Sequence, residues 1–219
     1  MNQKLYHIII GNYYYDGQYF YLAGYNGLNE MSDELQREFN EMIKSIEKYH
    51  GFYVGRYELG IDEKNDNIPT SKKAGDGVIT ANSSRSETYM WYGLYTKCKE
   101  YAPKSEDKSV VSNMIWGSQY DAIMNWLVKN NVNVNGSVIV DDSNETGENE
   151  NDLIGNIYDL YKCHIEWTQE GYVSGSYYSR IGRGGNNYAF YYPSYRNMDN
   201  TPISDYEKLS TRLTLYINN

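Results

Sequence analysis

The segment most informative about the architecture is RIGRGG, residues 180–185, in which three glycines lie around Arg183. Closely spaced glycines can form a phosphate-binding loop, but that loop also requires a wider glycine pattern, a lysine and a following helix. The sequence after residue 185 provides none of these. The four residues 182–185 therefore predict a tight turn next to short β-strands.

The composition around this segment is that of a globular protein with an unusual aromatic content. The chain has 219 residues, of which 40% are hydrophobic and 22% charged, enough for one substantial domain or one domain with a small appendage. Tyrosine occurs 26 times, against 4 tryptophans and 4 phenylalanines. Most aromatic surface therefore carries a hydroxyl group that favours water or a partner. This excess indicates a recognition surface.

The net charge of −9 limits the partners, because a negative surface repels nucleic-acid phosphates and anionic membranes. Nucleic acid is not an expected partner. The apolar run at residues 5–10 is interrupted by His7, is too short to span a membrane and is not followed by a cleavage site. We expect no membrane insertion and no signal peptide, and a cytoplasmic protein unless it leaves the cell inside a larger particle.

The first third of the chain predicts a hairpin, a helix and a strand. Asp16-Gly17 separates two aromatic runs within residues 13–21, which is a hairpin signal. Ser32 can cap a helix that ends before Gly51, and residues 52–58 alternate as a strand does. The apolar stripe of the helix consists of Leu35, Phe39, Met42, Ile43 and Ile46.

Two more helices are predicted in the middle of the chain, after a polar surface excursion at residues 60–83. The first begins at Ser84 or Ser86, runs to about Tyr101 and stops at Pro103. Its buried positions would be Met90, Leu94 and Cys98. The next has Ser118 as its cap and ends at Asn130-Asn131. Its stripe would be Ile123, Met124, Leu127 and Val128.

The segment from residue 141 to residue 152, DDSNETGENEND, predicts a mobile, solvated loop. It is not an EF-hand, because Leu153 occupies the position that requires a bidentate glutamate. From residue 156 onward, short β-like runs and glycines predict irregular, loop-rich β-structure.

Five motifs in a fixed order resemble the formylglycine-generating-enzyme type of C-type lectin fold. They are GFYVGRYE at 51–58, GSQYD at 117–121, NIYDL with EWT at 156–168, RIGRGG at 180–185 and Arg212-Leu213. The resemblance covers about residues 50–217. It implies an α+β fold in which two helices pack on small, twisted antiparallel sheets and long irregular loops form one face.

The residues of this chain disfavour the enzymes of that family. Formylglycine-generating enzymes use two cysteines to bind copper, and these would fall at Ala189 and Ser194, neither of which supplies a thiolate. A three-histidine iron site is not expected either, since His7, His50 and His164 are scattered. We therefore expect no enzyme activity and no catalytic or metal-binding residues. A related sulfatase-modifying enzyme with an altered metal site remains the alternative.

The other branch of the family comprises the variable proteins of diversity-generating retroelements, whose surface positions are mutagenised at adenine-rich codons. The tail after Gly185 is similar to the product of that process. Its candidate fixed scaffold is Arg183, Gly184, Gly185, Pro193, Ser194, Arg196, Pro202, Arg212 and Leu213. The candidate ligand-binding residues are Tyr177, Tyr178, Asn186, Asn187, Tyr188, Phe190, Tyr191, Tyr192, Tyr195, Asn197, Asp199, Asn200, Ile203 and Asp205.

The tail has the chemistry of a binding surface independently of this resemblance. Tyrosine orders at an interface with little loss of side-chain entropy, while serine, glycine and asparagine provide adaptable hydrogen bonds. Arg180, Arg183 and Arg196 lie among these residues and could act as binding hot spots, although some of them are expected to be structural. A single tyrosine could equally be an ordinary strand residue with one packed face.

No cofactor is predicted. The resemblance implies a structural Ca²⁺ held partly by Glu166, but Cys163 replaces an asparagine that often helps bind it, and a soft thiol is a poor ligand for a hard cation. Cys163-His164 could suggest a nucleophile and its base. Adjacent strand residues point to opposite faces, however, so catalysis by this pair is not expected.

These observations divide the chain into residues 1–49, a hairpin and helix for attachment or self-association, and residues 50–219, the lectin-like domain. The candidate variable region is 172–210. The expected function is non-enzymatic binding of a protein or cell-surface receptor, in a phage tail-associated virion protein or in the cytoplasm. The chain could also form a homo-oligomer. A virion decoration protein without a specific receptor is a further alternative.

Overall fold

The computed structural model describes residues 28–62, 68–73, 91–106, 108–134, 146–160, 163–174, 177–185, 193–197 and 209–218. The predicted hairpin at 13–21 and Met90 lie outside these residues. The described chain contains three α-helices, namely α1 (Leu28–Tyr49), α2 (Trp91–Lys104) and α3 (Gly117–Lys129), and a 3₁₀ turn at Glu150–Asp152. Together with the small sheets described next, these helices confirm the predicted α+β class.

Eleven strands are described. They are β1 (Tyr53–Val54), β2 (Leu59–Asp62), β3 (Ile68–Ser71), β4 (Val110–Met114), β5 (Leu153–Ile154), β6 (Ile157–Tyr158), β7 (Ile165–Ser174), β8 (Tyr177–Arg183), β9 (Arg196–Asn197), β10 (Leu209–Thr211) and β11 (Leu213–Ile217). Their orders are β1-β11-β4, β10-β7-β8-β9, β2-β3 and β5-β6. All pairs are antiparallel except β10 with β7, which is parallel, so the expectation of purely antiparallel sheets was wrong at this pair.

Helix α1 packs by the predicted stripe. It begins at Leu28, one turn before the predicted cap Ser32, and ends at Tyr49. Leu35 and Met42 are fully buried, and the ring of Phe39 meets that of Trp116 edge-on at 5.0 Å. The apolar face of α1 thus belongs to the same core as α2, β4, β7 and β11. The predicted division at residue 50 runs between this helix and β1.

Helix α2 buries Leu94 and Cys98, as predicted, but continues through Pro103 to Lys104. A proline inside a helix cannot donate to the carbonyl four residues earlier, here that of Lys99. Ser112 Oγ on β4 donates to that carbonyl at 3.2 Å instead. A side chain from the neighbouring strand thus satisfies the group that the proline leaves without a partner in the helix.

Helix α3 begins at Gly117 with Trp116 as its cap, so the prediction of Ser118 as the cap was wrong. The Gln119 side chain accepts a hydrogen bond from the Trp116 backbone N–H at 2.9 Å. The rest of the stripe is buried, but Val128 is 51% exposed, because it lies about 100° around the helix from Leu127.

Two segments are more regular than predicted. The excursion after residue 58 contains the hairpin β2-β3, whose Leu59 is fully buried, whereas the strand predicted over 52–58 is regular only at β1. The predicted turn at 182–185 begins only at Gly184, since Gly182 and Arg183 belong to β8. Gly184 has a φ of 71°, and a side chain there would meet the Leu160 carbonyl oxygen at 2.5 Å.

None of the helices in the described ranges is long and apolar enough to cross a membrane.

Candidate functional site

A glutamate just before β2 lies next to a cysteine and a histidine just before β7. Glu58 and Cys163 are buried, and the His164 side chain is 14% exposed. Cys163 Sγ lies 3.0 Å from His164 Nδ1, which in turn lies 2.6 Å from Glu58 Oε2. The His164 backbone N–H also donates to Glu58 Oε1 at 3.3 Å. We call Glu58, Cys163 and His164 the thiol cluster.

The backbone at Cys163 explains this proximity. Its φ is 65°, in the left-handed region, and β7 begins only at Ile165. The prediction that Cys163 and His164 point to opposite faces of a strand was therefore wrong. A left-handed residue turns the chain so that the thiol comes back against the imidazole of the next residue. Such a conformation is costly for a residue other than glycine.

The geometry of the thiol cluster differs from that of a nucleophile–base–acid triad. In a triad the histidine uses one ring nitrogen toward the nucleophile and the other toward the acid. Here the sulfur and the carboxylate oxygen both approach Nδ1. One sulfur, one nitrogen and one oxygen atom thus lie within 4.8 Å of one another. These three atoms could together hold a metal ion.

A buried ion pair borders the thiol cluster. Arg212, between β10 and β11, contacts Glu166 through Nε at 2.9 Å and through Nη2, and donates to the Gly55 and Tyr158 carbonyls at 2.9 and 2.8 Å. Burial raises the pKa of Glu166, and Arg212 opposes this effect. Burial would by itself lower the pKa of Arg212, but Glu166 and Glu58 raise it further than burial lowers it. The pair thus joins the start of β7 to the junction of β10 and β11.

Asp159 is the third carboxylate in this region. It is 2% exposed and has a left-handed φ of 61°. Burial, and next the charge of Glu58, raise the pKa of Asp159 to about 7, although the Gly147 N–H donates to its Oδ2 at 2.7 Å. Thr146 Oγ1 accepts from the Glu58 backbone N–H at 3.3 Å. The end of the segment predicted as a solvated loop is thus buried at Thr146, Gly147 and Asp152, because distant residues bind it.

A second group of buried charges lies at the roots of the tail. Arg183 Nη2 contacts Asp121 Oδ1 at 2.8 Å, and Arg183 Nη1 lies 3.7 Å from Glu170 Oε2. Arg196 contacts Asp121 through Nη2 and Glu170 Oε1 through Nε, the latter at 3.1 Å. Two carboxylates and two guanidinium groups therefore alternate. We call Asp121, Glu170, Arg183 and Arg196 the frame cluster, since it joins α3, β7, β8 and β9.

All three arginines considered as hot spots are structural. Arg180 and Arg183 are fully buried, and Arg196 is 7% exposed. The Arg180 guanidinium lies 4.1 Å from the centroid of the Trp91 ring and donates to the Gln169 carbonyl at 2.9 Å. The expectation that some of these residues belong to the scaffold is confirmed, and the hot-spot interpretation was wrong for them. The scaffold residues Ser194, Arg212 and Leu213 are also buried.

The structure describes only some of the candidate ligand-binding residues. Tyr177 and Tyr178 open β8, Tyr195 is half-buried, and Asn197 lies in β9 with 7% of its surface exposed. The others lie in the segments 186–192 and 198–208, outside the described residues. They are Asn186, Asn187, Tyr188, Phe190, Tyr191, Tyr192, Asp199, Asn200, Ile203 and Asp205.

Sequence reasoning missed Glu58 and Asp159 as site residues. Glu58 is 106 residues from His164, and no local pattern connects the two positions. The adjacent Cys163-His164 pair was the only signal in the sequence that could have indicated the thiol cluster. Comparisons of this chain with family models, curated proteins and solved structures gave no match.

Proposed function

We propose that this chain is a non-enzymatic receptor-binding protein with the formylglycine-generating-enzyme type of C-type lectin fold, similar to the variable proteins of diversity-generating retroelements. Its tail would present a surface rich in tyrosine and asparagine to a protein or cell-surface target. The proposed setting is a phage tail-associated virion protein. The observation that carries the proposal is that buried contacts fix three points around the two tail segments 186–192 and 198–208.

The first fixed point is the end of β8. Arg183 is held in the frame cluster, and Gly184 packs against the Leu160 carbonyl too closely for any side chain. The second fixed point is the segment 193–197, where Arg196 completes the frame cluster and the Ser194 N–H donates to the Val134 carbonyl at 3.2 Å. These two points enclose residues 186–192.

The third fixed point is β10, which encloses residues 198–208 together with the segment 193–197. Strand β10 pairs in parallel with β7, placing Thr211 opposite Trp167. Thr211 Oγ1 donates to the Trp167 carbonyl at 2.7 Å. A protein that varies a surface needs its loop ends held independently of the loop sequence. These anchors depend on buried residues outside both segments.

The topology supports the proposed fold. Strand β1 pairs with the late strand β11, which brings distant parts of the chain together, and α3 packs against β7 and β8. Tyrosine-rich loops on such a frame lose little entropy on binding. Self-association would add avidity to a modest site.

The DNA beside the gene tests the class of protein. We expect a near-identical repeat of the sequence encoding residues 172–210 that differs only at adenines, with a reverse transcriptase gene nearby. A locus without either would contradict the retroelement assignment while leaving binding itself open to the next experiment.

Receptor binding is tested with the purified chain on a panel of bacterial strains that includes the host of the source DNA. Replacing Tyr188, Tyr191 and Tyr192 with alanine should reduce cell attachment at least about tenfold, since interface tyrosines are common hot spots. Tyr53, which is 62% exposed and remote in sequence from the tail, provides the control variant Tyr53→Ala. Equal attachment of all three proteins would favour a decoration protein, and copper-dependent oxygen uptake on a cysteine-containing peptide would favour the enzyme alternative.

A further inference from the structure

We propose that Glu58, Cys163 and His164 form a binding site for a divalent transition-metal ion of the zinc class. The three side chains offer one sulfur, one imidazole nitrogen and one carboxylate oxygen, which are the protein ligands that Zn²⁺ uses. All three atoms lie within 4.8 Å of one another. None of the three residues is among the candidate ligand-binding residues, and the proposal does not depend on the proposed receptor-binding function.

Two of the separations between the candidate ligand atoms are hydrogen-bond distances, somewhat shorter than the separations around a bound zinc ion. Tetrahedral bonds to zinc place sulfur and nitrogen about 3.5 Å apart, and nitrogen and oxygen about 3.4 Å apart. The corresponding separations here are 3.0 and 2.6 Å. An entering ion would therefore lengthen the sulfur–nitrogen and nitrogen–oxygen separations by roughly 0.5–0.8 Å. The His164 side chain, which is 14% exposed, is the one with room to move and marks the entry path.

The charges around the site favour a cation. Glu58 is a buried carboxylate that acts on the buried carboxyl groups of Asp159 and Glu166 and on the guanidinium of Arg212, and it also pairs with His164 Nδ1 at 2.6 Å. By contrast, the frame cluster matches two carboxylates with two guanidinium groups. Buried charges are stable only when they are compensated. A divalent ion bound by neutral His164 would compensate the Glu58 carboxylate and the Cys163 thiolate directly.

The backbone provides a further observation. Cys163 and Asp159 both have left-handed φ values, 65° and 61°, although neither is glycine. Strained residues of this kind persist where the surrounding structure holds them, and they concentrate at functional sites. At Cys163 the strain directs the sulfur toward the histidine and the glutamate.

The ligand chemistry distinguishes zinc from calcium. Ca²⁺ takes six to eight oxygen ligands, whereas the thiol cluster offers one carboxylate with a thiol and an imidazole. Three protein ligands also leave one tetrahedral position for water or an external group. The expected occupant is therefore a zinc-class ion with an accessible fourth position.

Cobalt titration of the reduced, chelator-treated full chain tests the proposal. Co²⁺ substitutes for Zn²⁺, and a thiolate ligand produces a charge-transfer absorption in the near ultraviolet. We expect this band to saturate at one Co²⁺ per chain, to disappear when Zn²⁺ is added and to persist when Ca²⁺ is added. Absence of the band, or its loss on addition of Ca²⁺, would overturn the proposal.

The chain contains a matched control for the thiol. Cys98 is also buried, but it lies in the apolar core of α2. Cys163→Ser should weaken Co²⁺ binding at least about 100-fold and remove the band, whereas Cys98→Ser should leave both unchanged. Equal binding by Cys163→Ser and the unaltered chain would refute the site.

Glu58→Gln provides an independent variant if Cys163→Ser does not fold, because it preserves size and keeps an oxygen that can accept from the His164 N–H. It should keep the band at saturation, with binding weakened about 10- to 100-fold. Unchanged affinity would exclude Glu58 as a ligand and contradict the three-residue site.

Zinc should also raise the melting temperature of the unaltered chain in a concentration-dependent way.

Discussion

The frame cluster and the thiol cluster are both buried and both charged, but they are compensated differently. In the frame cluster each carboxylate contacts two arginines, and the four residues join one helix and three strands. Near the thiol cluster Glu58, Asp159 and Glu166 all interact with the one guanidinium of Arg212, and among them Glu58 also pairs with the titratable side chain of His164. The comparison teaches that buried charge alone does not identify a functional site. The useful measure is how completely each charge is compensated by its neighbours.

The largest effect is expected from removing one cation from the frame cluster. Arg196→Met leaves Asp121 and Glu170 to share Arg183, and should reduce the free energy of unfolding by about 3–5 kcal/mol. Denaturant unfolding measures this change. Lys104→Met breaks the partly exposed pair with Glu100 and should cost less than about 1 kcal/mol. Similar values for the two variants would show that the frame cluster does not hold the fold together.

The pH dependence of stability should report on Asp159. Burial raises the pKa of this carboxyl from 3.8 to about 7, so between these values the folded protein retains a proton that the unfolded chain has released. Its contribution to stability is complete below about pH 4 and is lost as pH rises through about 7. Under metal-free conditions, the free energy of unfolding of Asp159→Asn should rise by roughly 2–4 kcal/mol relative to that of the unaltered chain as the pH increases from about 4 to about 7. If the free energies of unfolding of the two proteins changed in parallel with pH, the raised pKa of Asp159 would be contradicted.

Neutralising one carboxylate in each cluster compares them directly. Glu170→Gln removes a charge that two arginines contact, and should cost about 2–3 kcal/mol. Glu58→Gln keeps an oxygen for the His164 N–H but breaks the pair with His164 Nδ1, and without metal should cost less than Glu170→Gln, about 1–2 kcal/mol. Chemical denaturation in the presence of chelator measures both. Equal losses would mean that the thiol cluster is compensated as fully as the frame cluster.

The smallest effect concerns backbone strain at the thiol. Asparagine tolerates left-handed φ values better than cysteine, so Cys163→Asn should relieve about 0.5–1 kcal/mol, offset by lost thiol contacts. His50, at the end of α1, has nearly the same φ of 64° and is exposed, so His50→Asn measures the backbone gain alone. A gain at Cys163 as large as that at His50 would show that the thiol contributes nothing to stability in the absence of metal.

The sequence predicted elements whose signals are local. The stripe of α1 and the burial of Leu94 and Cys98 follow from helical periodicity, and both are present in the structure. Boundaries were less predictable, because contacts distant in sequence set them. The Ser112 hydroxyl stabilises the end of α2 past Pro103, and Gln119 satisfies the start of α3.

The candidate site was less predictable than the helices. Nothing local distinguishes a buried arginine such as Arg183 from one on a binding surface, because its partners Asp121 and Glu170 come from other elements. The predicted direction of the Cys163 side chain was wrong for a related reason. The left-handed backbone of Cys163, just before β7, turns its side chain away from the direction expected in a strand. The sequence Cys-His does not predict that conformation.

Strand β11 lies in the centre of its sheet, between β1 and β4, yet it follows the entire candidate variable region in the chain. A ribosome must therefore finish the tail before the sheet can close. A premature stop or frameshift within residues 172–210 would remove the middle strand and leave both of its neighbours unpaired. The order of the elements thus makes closure of this sheet depend on translation in frame to the last strand.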